Sequence, residues 1–217
     1  MEEKIAQYWQ SLLPEKTLFI QEMEQLAKEE HVPIMESAGI ETMLQFMRIQ
    51  KPKKILEIGT AIGYSAIRIA QAISGSEIVT IERDESRYNQ AIQFIRRAGL
   101  ENRISVILGD ALEVAAEAGE MGPYDAIFID AAKGQYQKFF EMYTPYLAEN
   151  GVVYTDNVLF KGHVAETDIA KKRIRQLTSK IRQYNQWLVN HSSFSTMIIP
   201  VGDGLAISIY RGEKDGK

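Results

Sequence analysis

Two stretches of the chain end in residues able to hold a cation and move a proton. Phe128-Ile-Asp-Ala-Ala-Lys133 closes one apolar run, and Tyr154-Thr-Asp-Asn157 closes another. Side by side, Asp130, Asp156 and Asn157 would offer two carboxylates and an amide oxygen. An all-oxygen set with positions left for water suits a hard divalent cation, Mg²⁺ or Mn²⁺, rather than zinc. His31, His163 and His191 are too scattered to add a zinc motif. Lys133 follows Asp130 by three residues and would lie beside that cation, where desolvation and a second positive charge lower its pKa and suit it to act as a base. Taken singly, each Asp or Asn is equally a helix cap or turn former, and Lys133 a solvated cation. Their conjunction is what reads as a site.

A second group lies earlier. Glu57-Ile-Gly-Thr-Ala-Ile-Gly-Tyr-Ser65 follows an apolar run directly, and its small residues Gly59, Ala61 and Gly63 let the backbone turn tightly and approach a ligand before a helix begins at Tyr64 and Ser65. The spacing Gly-x-Ala-x-Gly departs from the Gly-x-Gly-x-x-Gly of dinucleotide sites. Glu57 would repel a pyrophosphate but suits a cationic ligand. S-adenosylmethionine (SAM), with a sulfonium, an ammonium and no phosphate, meets that description. Glu82, 23 residues after Gly59, ends the next apolar run, where a carboxylate can accept from both ribose hydroxyls. Asp110 and Ala111 end the one after and could contact the adenine. Alone, the glycine segment is only a tight turn; with Glu82 and Asp110 at successive strand ends it reads as a cofactor site.

The elements that must position these residues are legible. Residues 54–58, 77–81, 104–108, 125–129 and 151–155 read as five β-strands, and 64–74, 85–98 and 135–147 as helices between them. Such alternation predicts a doubly wound, Rossmann-like α/β domain with a mostly parallel sheet covered on both faces. Residues 194–200 and 205–210 leave no room for a crossover helix and predict an antiparallel C-terminal hairpin. Residues 2–50 read as helices broken near His31-Val-Pro33. The expected organisation is one domain, 1–217, with an N-terminal helical extension (1–50), an α/β core (51–212) and a frayed tail (213–217).

Composition narrows the class. With 25 basic against 29 acidic residues, the net charge of −4 argues against coating nucleic acid through bulk charge. There is no cysteine, which excludes disulfides, thiolate metal sites and a catalytic thiol. The start Met1-Glu-Glu-Lys4 lacks the basic and apolar regions of a secretory signal, and the uncharged stretch 183–202 is too polar to span a membrane. A soluble cytoplasmic protein is expected.

Leu56-Glu-Ile-Gly-Thr-Ala-Ile-Gly-Tyr-Ser65, Phe128-Ile-Asp-Ala-Ala-Lys133, Thr155-Asp-Asn157 and Pro200-Val-Gly-Asp-Gly204, in that order over nearly the whole chain, resemble the cation-dependent O-methyltransferases, the family of catechol and caffeoyl-CoA methyltransferases. The resemblance implies a class I methyltransferase fold, with a seven-stranded sheet whose last strand is antiparallel. It implies SAM as cofactor, a divalent metal on Asp130, Asp156 and Asn157, Asp130 also beside the cofactor, and Lys133 as the base. Pro33-Ile-Met-Glu-Ser-Ala-Gly39 looks like the family segment that covers the cofactor, which would bring Met35 and Glu36 to the site; a core methionine is an equal reading of Met35.

Within the family, the chain is most similar to bacterial members that methylate 5-hydroxyuridine at the tRNA wobble position, whose 5-hydroxyl and O4 are vicinal oxygens like those of a catechol. An anticodon loop also offers its base unpaired. Residues 169–182 hold six basic residues and no acid. Lys171, Lys172, Arg173 and Arg175, with Lys161 and His163, are the candidate RNA contacts, and Tyr64, Tyr136 and Phe160 candidates for stacking. A solvated helix face and core aromatics are the alternatives. Competing functions are a small-phenol O-methyltransferase, a non-catalytic RNA-binding protein of the same fold and, more distantly, an NAD oxidoreductase. Ile5, Tyr8, Trp9, Leu12 and Leu13 suggest a helix-mediated homodimer.

Overall fold

The computed structural model describes residues 2–212; the tail expected at 213–217 lies outside the described residues. Three helices, α1 (Glu2–Ser11), α2 (Leu18–Glu29) and α3 (Ser37–Gln50), precede an alternating series. That series runs β1 (Lys54–Ile58), α4 (Tyr64–Ala72), β2 (Glu77–Glu82), α5 (Glu85–Arg97), β3 (Ile104–Leu108), α6 (Ala115–Glu120), β4 (Tyr124–Ile129), α7 (Tyr136–Tyr143), β5 (Leu147–Thr155) and α8 (Lys172–Val189). It closes with β6 (Phe194–Ile199) and β7 (Leu205–Tyr210). The seven strands lie in the order β3-β2-β1-β4-β5-β7-β6. β1 to β5 are mutually parallel, and β7 runs antiparallel to both β5 and β6, as the hairpin reading required.

Strand periodicity divides the core in two. On one face Ile55, Ile78, Ile104, Phe128 and Tyr154 pack under α2 to α5. On the other, Leu56, Ile58, Val79, Ile127, Ile129 and Val153 pack under α6 to α8. Helices α2 and α3 join the first layer, with Met23, Met43 and Met47 fully buried in the same core as Ile55. Burying each such side chain contributes on the order of 1.5–3 kcal/mol.

Several boundaries differ from the sequence reading, two of them because of a proline. The N-terminal helices break a second time at 12–17, where Pro14 interrupts and Thr17 caps α2 by accepting from the Ile20 N–H at 3.3 Å. The helix expected to reach 147 ends at Tyr143. Pro145, which has no N–H to continue the ladder, sits in a tight 3-10 turn, and Leu147 already pairs with Tyr124 as the first residue of β5.

The sheet order reverses between β1, from which β2 and β3 extend one way, and β4, from which β5 extends the other. In such sheets the crevice at the carboxyl ends beside this reversal is where ligands bind. Both chemistry-bearing groups sit there.

Candidate active site

A cavity of about 240 Å³ opens at that crevice, walled by Ile34 and Met35 from the segment before α3, by Gly59–Ala61 and Tyr64, and by Glu82, Asp110 and Ala111. Asp130, Lys133 and Asn157 line the same cavity, whereas Asp156 does not line it and meets it through its hydrogen bond with Asn157.

The glycine turn is dictated sterically. Gly59 has φ +105°, and a Cβ there would lie 2.1 Å from the Asp130 carbonyl oxygen, so the ends of β1 and β4 approach as closely as they do only over glycine. Gly63 (φ +83°) opens α4, and Ala61 also has positive φ. The Ala61 N–H donates to Glu82 Oε2 at 2.8 Å, and the Asp84 N–H to Glu82 Oε1 at 2.9 Å. The carboxylate is thereby fixed above the turn with acceptor capacity left on both oxygens, the arrangement a ribose diol needs. Asp110 is set likewise, with Oδ1 accepting from the Leu112 N–H at 2.9 Å.

Glu57 sits differently. Its side chain is wholly buried beneath the turn, accepting from the Ser65 hydroxyl and, at 2.6 Å, from Thr80 Oγ1. Desolvation pushes its pKa up to about 8, against those two hydrogen bonds. Glu57 and Gly63 do not line the cavity, and Glu57 reaches it only through Ser65, which does. Tyr64, on the cavity wall, donates to Glu24 Oε1 of α2 at 2.6 Å and accepts from Arg68 at 3.1 Å. Arg68 in turn pairs with Glu41 of α3, so the cofactor turn is tied to the helices flanking Met35. Glu36 caps α3 through its backbone conformation, with no side-chain hydrogen bond in the cap.

At the ends of β4 and β5, Ile129 and Thr155 are register partners, and the Asp156 N–H donates to the Ile129 carbonyl at 3.1 Å. Asp130 and Asp156 therefore leave adjacent strands at one level. Asn157 Nδ2 donates to Asp156 Oδ2 at 2.8 Å, and Lys133 Nζ donates to Asn157 Oδ1. Burial pushes both aspartates above the ordinary carboxylate range, Asp156 further because Asp130 repels it. Burial also pulls Lys133 down, opposed by Asp130, Asp156 and Asp203 and assisted by Lys161. Among the described residues no group of three or more His, Cys, Asp or Glu could hold a metal, so a cation here depends on the Asn157 amide oxygen as its third protein donor. A buried carboxylate on Asp156, a partly buried one on Asp130 and an amide oxygen are a hard, anionic set, and they fit Mg²⁺ or Mn²⁺.

Asp203 was not singled out from the sequence, although it lies in the Gly202-Asp-Gly204 turn; its carboxylate acts on Asp130, Asp156 and Lys133 from the β6–β7 loop. Two of the three aromatic candidates take the core alternative. Tyr136 is 1% exposed, with its hydroxyl donating to the Asp156 carbonyl at 2.9 Å, so it supports β5 and cannot stack on a base. Tyr64 is equally buried, whereas Phe160 is partly exposed and packs edge-on against His163.

The basic candidates also separate. Lys161, Lys171, Lys172 and Arg173 are exposed. Arg175 reaches the Ile169 carbonyl at 3.4 Å, Arg182 holds the carbonyls of His163, Val164 and Glu166, and His163 meets Glu166 at 3.0 Å. Lys180 of α8 overlies Gly134, beside the Lys133 loop. Among the described residues no helix is long and apolar enough to cross a membrane.

A profile of the O-methyltransferase family matches residues 11–210. A structure from Staphylococcus aureus, provisionally named as a caffeoyl-CoA O-methyltransferase, is 37% identical with a TM-score of 0.86 over 96% of this chain and 98% of that one. An O-methyltransferase from Bacillus cereus, solved with S-adenosylhomocysteine, is 27% identical with a TM-score of 0.81 over 95% and 97% of the two chains. Among sequences, the catechol O-methyltransferase of Niastella koreensis is 30% identical over 73% of this chain and 74% of its own length.

Proposed function

Because the chain belongs to the O-methyltransferase family, we propose that it transfers the methyl group of SAM to a hydroxyl oxygen of a substrate bearing two vicinal oxygens. The observation that carries this reading is the single cavity shared by Glu82, Asp110, Asp130, Lys133 and Asn157. SAM, the donor of the methyl group, would be held by the Gly59–Ala61 turn, with Glu82 on the ribose, Asp110 and Ala111 at the adenine and Met35 covering. A divalent cation on Asp130, Asp156 and Asn157 would lower the pKa of the acceptor hydroxyl and orient its neighbouring oxygen.

The chain's own residues do the rest. Lys133, its amine pulled down by burial, takes the proton from the hydroxyl, and the oxygen so charged attacks the methyl in line. Ile34, Met35 and the buried strand ends keep water from the reacting atoms. No residue needs to form a covalent intermediate.

For the substrate we favour 5-hydroxyuridine at the tRNA wobble position, giving 5-methoxyuridine in the cytoplasm. Lys171, Lys172 and Arg173 support this reading. They crowd the positive end of the α8 dipole with no acid in its first turn, an arrangement unfavourable by itself that a phosphate backbone would relieve. Lys161 and Lys180 extend the positive surface toward Lys133. A small catechol-like phenol is the second reading, favoured by the names of the relatives. Exposed Ile5 and Tyr8 on α1, with exposed Leu12 just past its end, support a homodimer, and a monomeric mass in light scattering at micromolar concentration would remove it.

The deciding experiment incubates the protein with SAM and Mg²⁺, or with EDTA, and supplies tRNA containing 5-hydroxyuridine or a simple catechol, reading products by mass spectrometry. Metal-dependent 5-methoxyuridine with little methylated catechol supports the tRNA reading. The reverse moves the substrate to small phenols, and no transfer to either refutes the proposal.

A further inference from the structure

Between β5 and α8 the backbone enters the left-handed region at Asn157 (φ 59°), Phe160 (φ 47°), Lys161 (φ 53°) and Gly162 (φ 80°). Three non-glycine residues in that region within five positions make a strained segment, and such strain persists only where the surroundings over-determine it. The surroundings here are chiefly the β6–β7 turn. The Val158 N–H donates to the Gly204 carbonyl at 3.1 Å, the Leu159 N–H to the Asp203 carbonyl at 2.9 Å, and the Lys161 N–H to Asp203 Oδ1. The approach is so close that a Cβ on Gly204 would lie 2.8 Å from the Leu159 nitrogen. From α8, Asn185 Nδ2 donates to the Val158 carbonyl at 2.8 Å.

Backbone carbonyls make two of the three bonds from the turn, and any residue could supply them. The third needs a side chain, and it falls on Lys161, one of the strained positions. Within the loop, the Phe160 N–H donates to the Asn157 carbonyl at 3.3 Å and the Gly162 N–H to the Leu159 carbonyl at 3.0 Å. Fixing Lys161 thus fixes the turn that begins at Asn157.

We propose that Asp203 is a positioning residue of the active site: its carboxylate pins the Lys161 backbone and, through the strained loop, holds the Asn157 amide against Lys133 and Asp156. The clamp stands on hydrogen bonds within the free protein; its catalytic consequence rests on the proposed methyl transfer.

Asp203→Asn keeps an acceptor oxygen in place, whereas Asp203→Ala removes it and Asp203→Glu keeps the charge but moves the oxygen by one methylene. Amide hydrogen exchange on the free protein is the first measurement. The Lys161 amide should exchange at least tenfold faster in Asp203→Ala and Asp203→Glu and within about threefold of wild type in Asp203→Asn, with the β7 amides unchanged throughout. Methyl transfer to whichever acceptor the wild type uses is the second. SAM affinity should stay within twofold in every variant, while kcat falls at least twentyfold in Asp203→Ala and recovers to within about fivefold of wild type in Asp203→Asn. An unaltered Lys161 amide in Asp203→Glu and Asp203→Ala overturns the clamp. Equal kcat losses in Asp203→Asn and Asp203→Ala assign the effect to charge and overturn the positioning role. A wild type inactive on both acceptors refutes the proposed function, and the exchange data then decide the clamp by themselves. If Asp203→Ala does not fold, the contrast between Asp203→Glu and Asp203→Asn carries both measurements.

Discussion

Lys133 and Asn157, 24 residues apart, meet across the ends of β4 and β5, the lysine Nζ donating to the amide oxygen. The residue proposed to take the proton is therefore held by the residue proposed to complete the cation's ligands. Replacing Lys133 with Ala should cut turnover by about 100-fold or more, the usual contribution of a positioned base, and leave SAM affinity within about threefold. Turnover within fivefold of wild type would remove Lys133 from that role.

Asp130 and Asp156 repel each other in a buried site, and a divalent cation would relieve that repulsion. Mg²⁺ or Mn²⁺ should raise the melting temperature in proportion to binding and restore methyl transfer after EDTA. Asp156→Asn should lose most of both effects; a full melting shift in that variant would exclude Asp156 as a ligand.

Glu57 sets a pH dependence of stability. Burial raises its carboxyl to about 8 in the folded chain from an ordinary 4.5, so between these values the folded state binds a proton that the unfolded chain releases. The carboxyl's stabilising contribution is complete below about pH 4.5 and is lost as pH rises toward and through 8. Glu57→Gln cannot titrate, so its melting temperature relative to wild type should climb from pH 6 to pH 9. A constant difference across that range would contradict the assignment.

Tyr64→Phe removes the hydrogen bond to Glu24 that ties the cofactor turn to α2. A hydrogen bond to a charged group is worth about 1.5–3 kcal/mol, and partial exposure of Glu24 favours the lower end. Calorimetric SAM titration should show several-fold weaker binding together with that loss of stability. Unchanged affinity would confine the network to folding.

Neutralising Lys171, Lys172 and Arg173 to Gln should weaken tRNA binding and lower the slope of log affinity against log salt by about 0.7–0.9 for each phosphate no longer neutralised. Methylation of a catechol should not change. Arg175 and Arg182 are left in place because both reach backbone carbonyls near the loop, and removing them would mix folding with binding. An unchanged salt slope would take the helix out of the RNA interface.

Strand ends were readable because each is an apolar, β-branched run closed by Gly, Glu or Asp, and a parallel sheet brings all such ends to one edge. Gly59, Glu82, Asp130 and Asp156 were found in that way. Tyr136 stayed open between stacking and core because an aromatic at the start of a helix carries no sign of which way it faces until the Asp156 carbonyl is seen to accept from it. Asp203 was passed over for a related reason. Its partner Lys161 is 42 residues away, and the left-handed backbone that makes the bond necessary leaves no mark in the types of Phe160 and Lys161. Glu57 was noticed for its charge, whereas its burial beneath Ser65 follows from strand pleating together with the start of α4.

The one-rung alignment of Ile129 with Thr155 also bears on how such a chain can diversify. Adding or deleting one residue within β4 or β5 would send Asp130 or Asp156 to the opposite face of the sheet and dismantle the chemistry at a stroke. The segment between β5 and α8, and the one before α3, approach the same cavity without obeying strand register. Changes of length there could reshape what enters while the reacting centre keeps its frame, so acceptor preference should drift among descendants far more readily than the reaction itself.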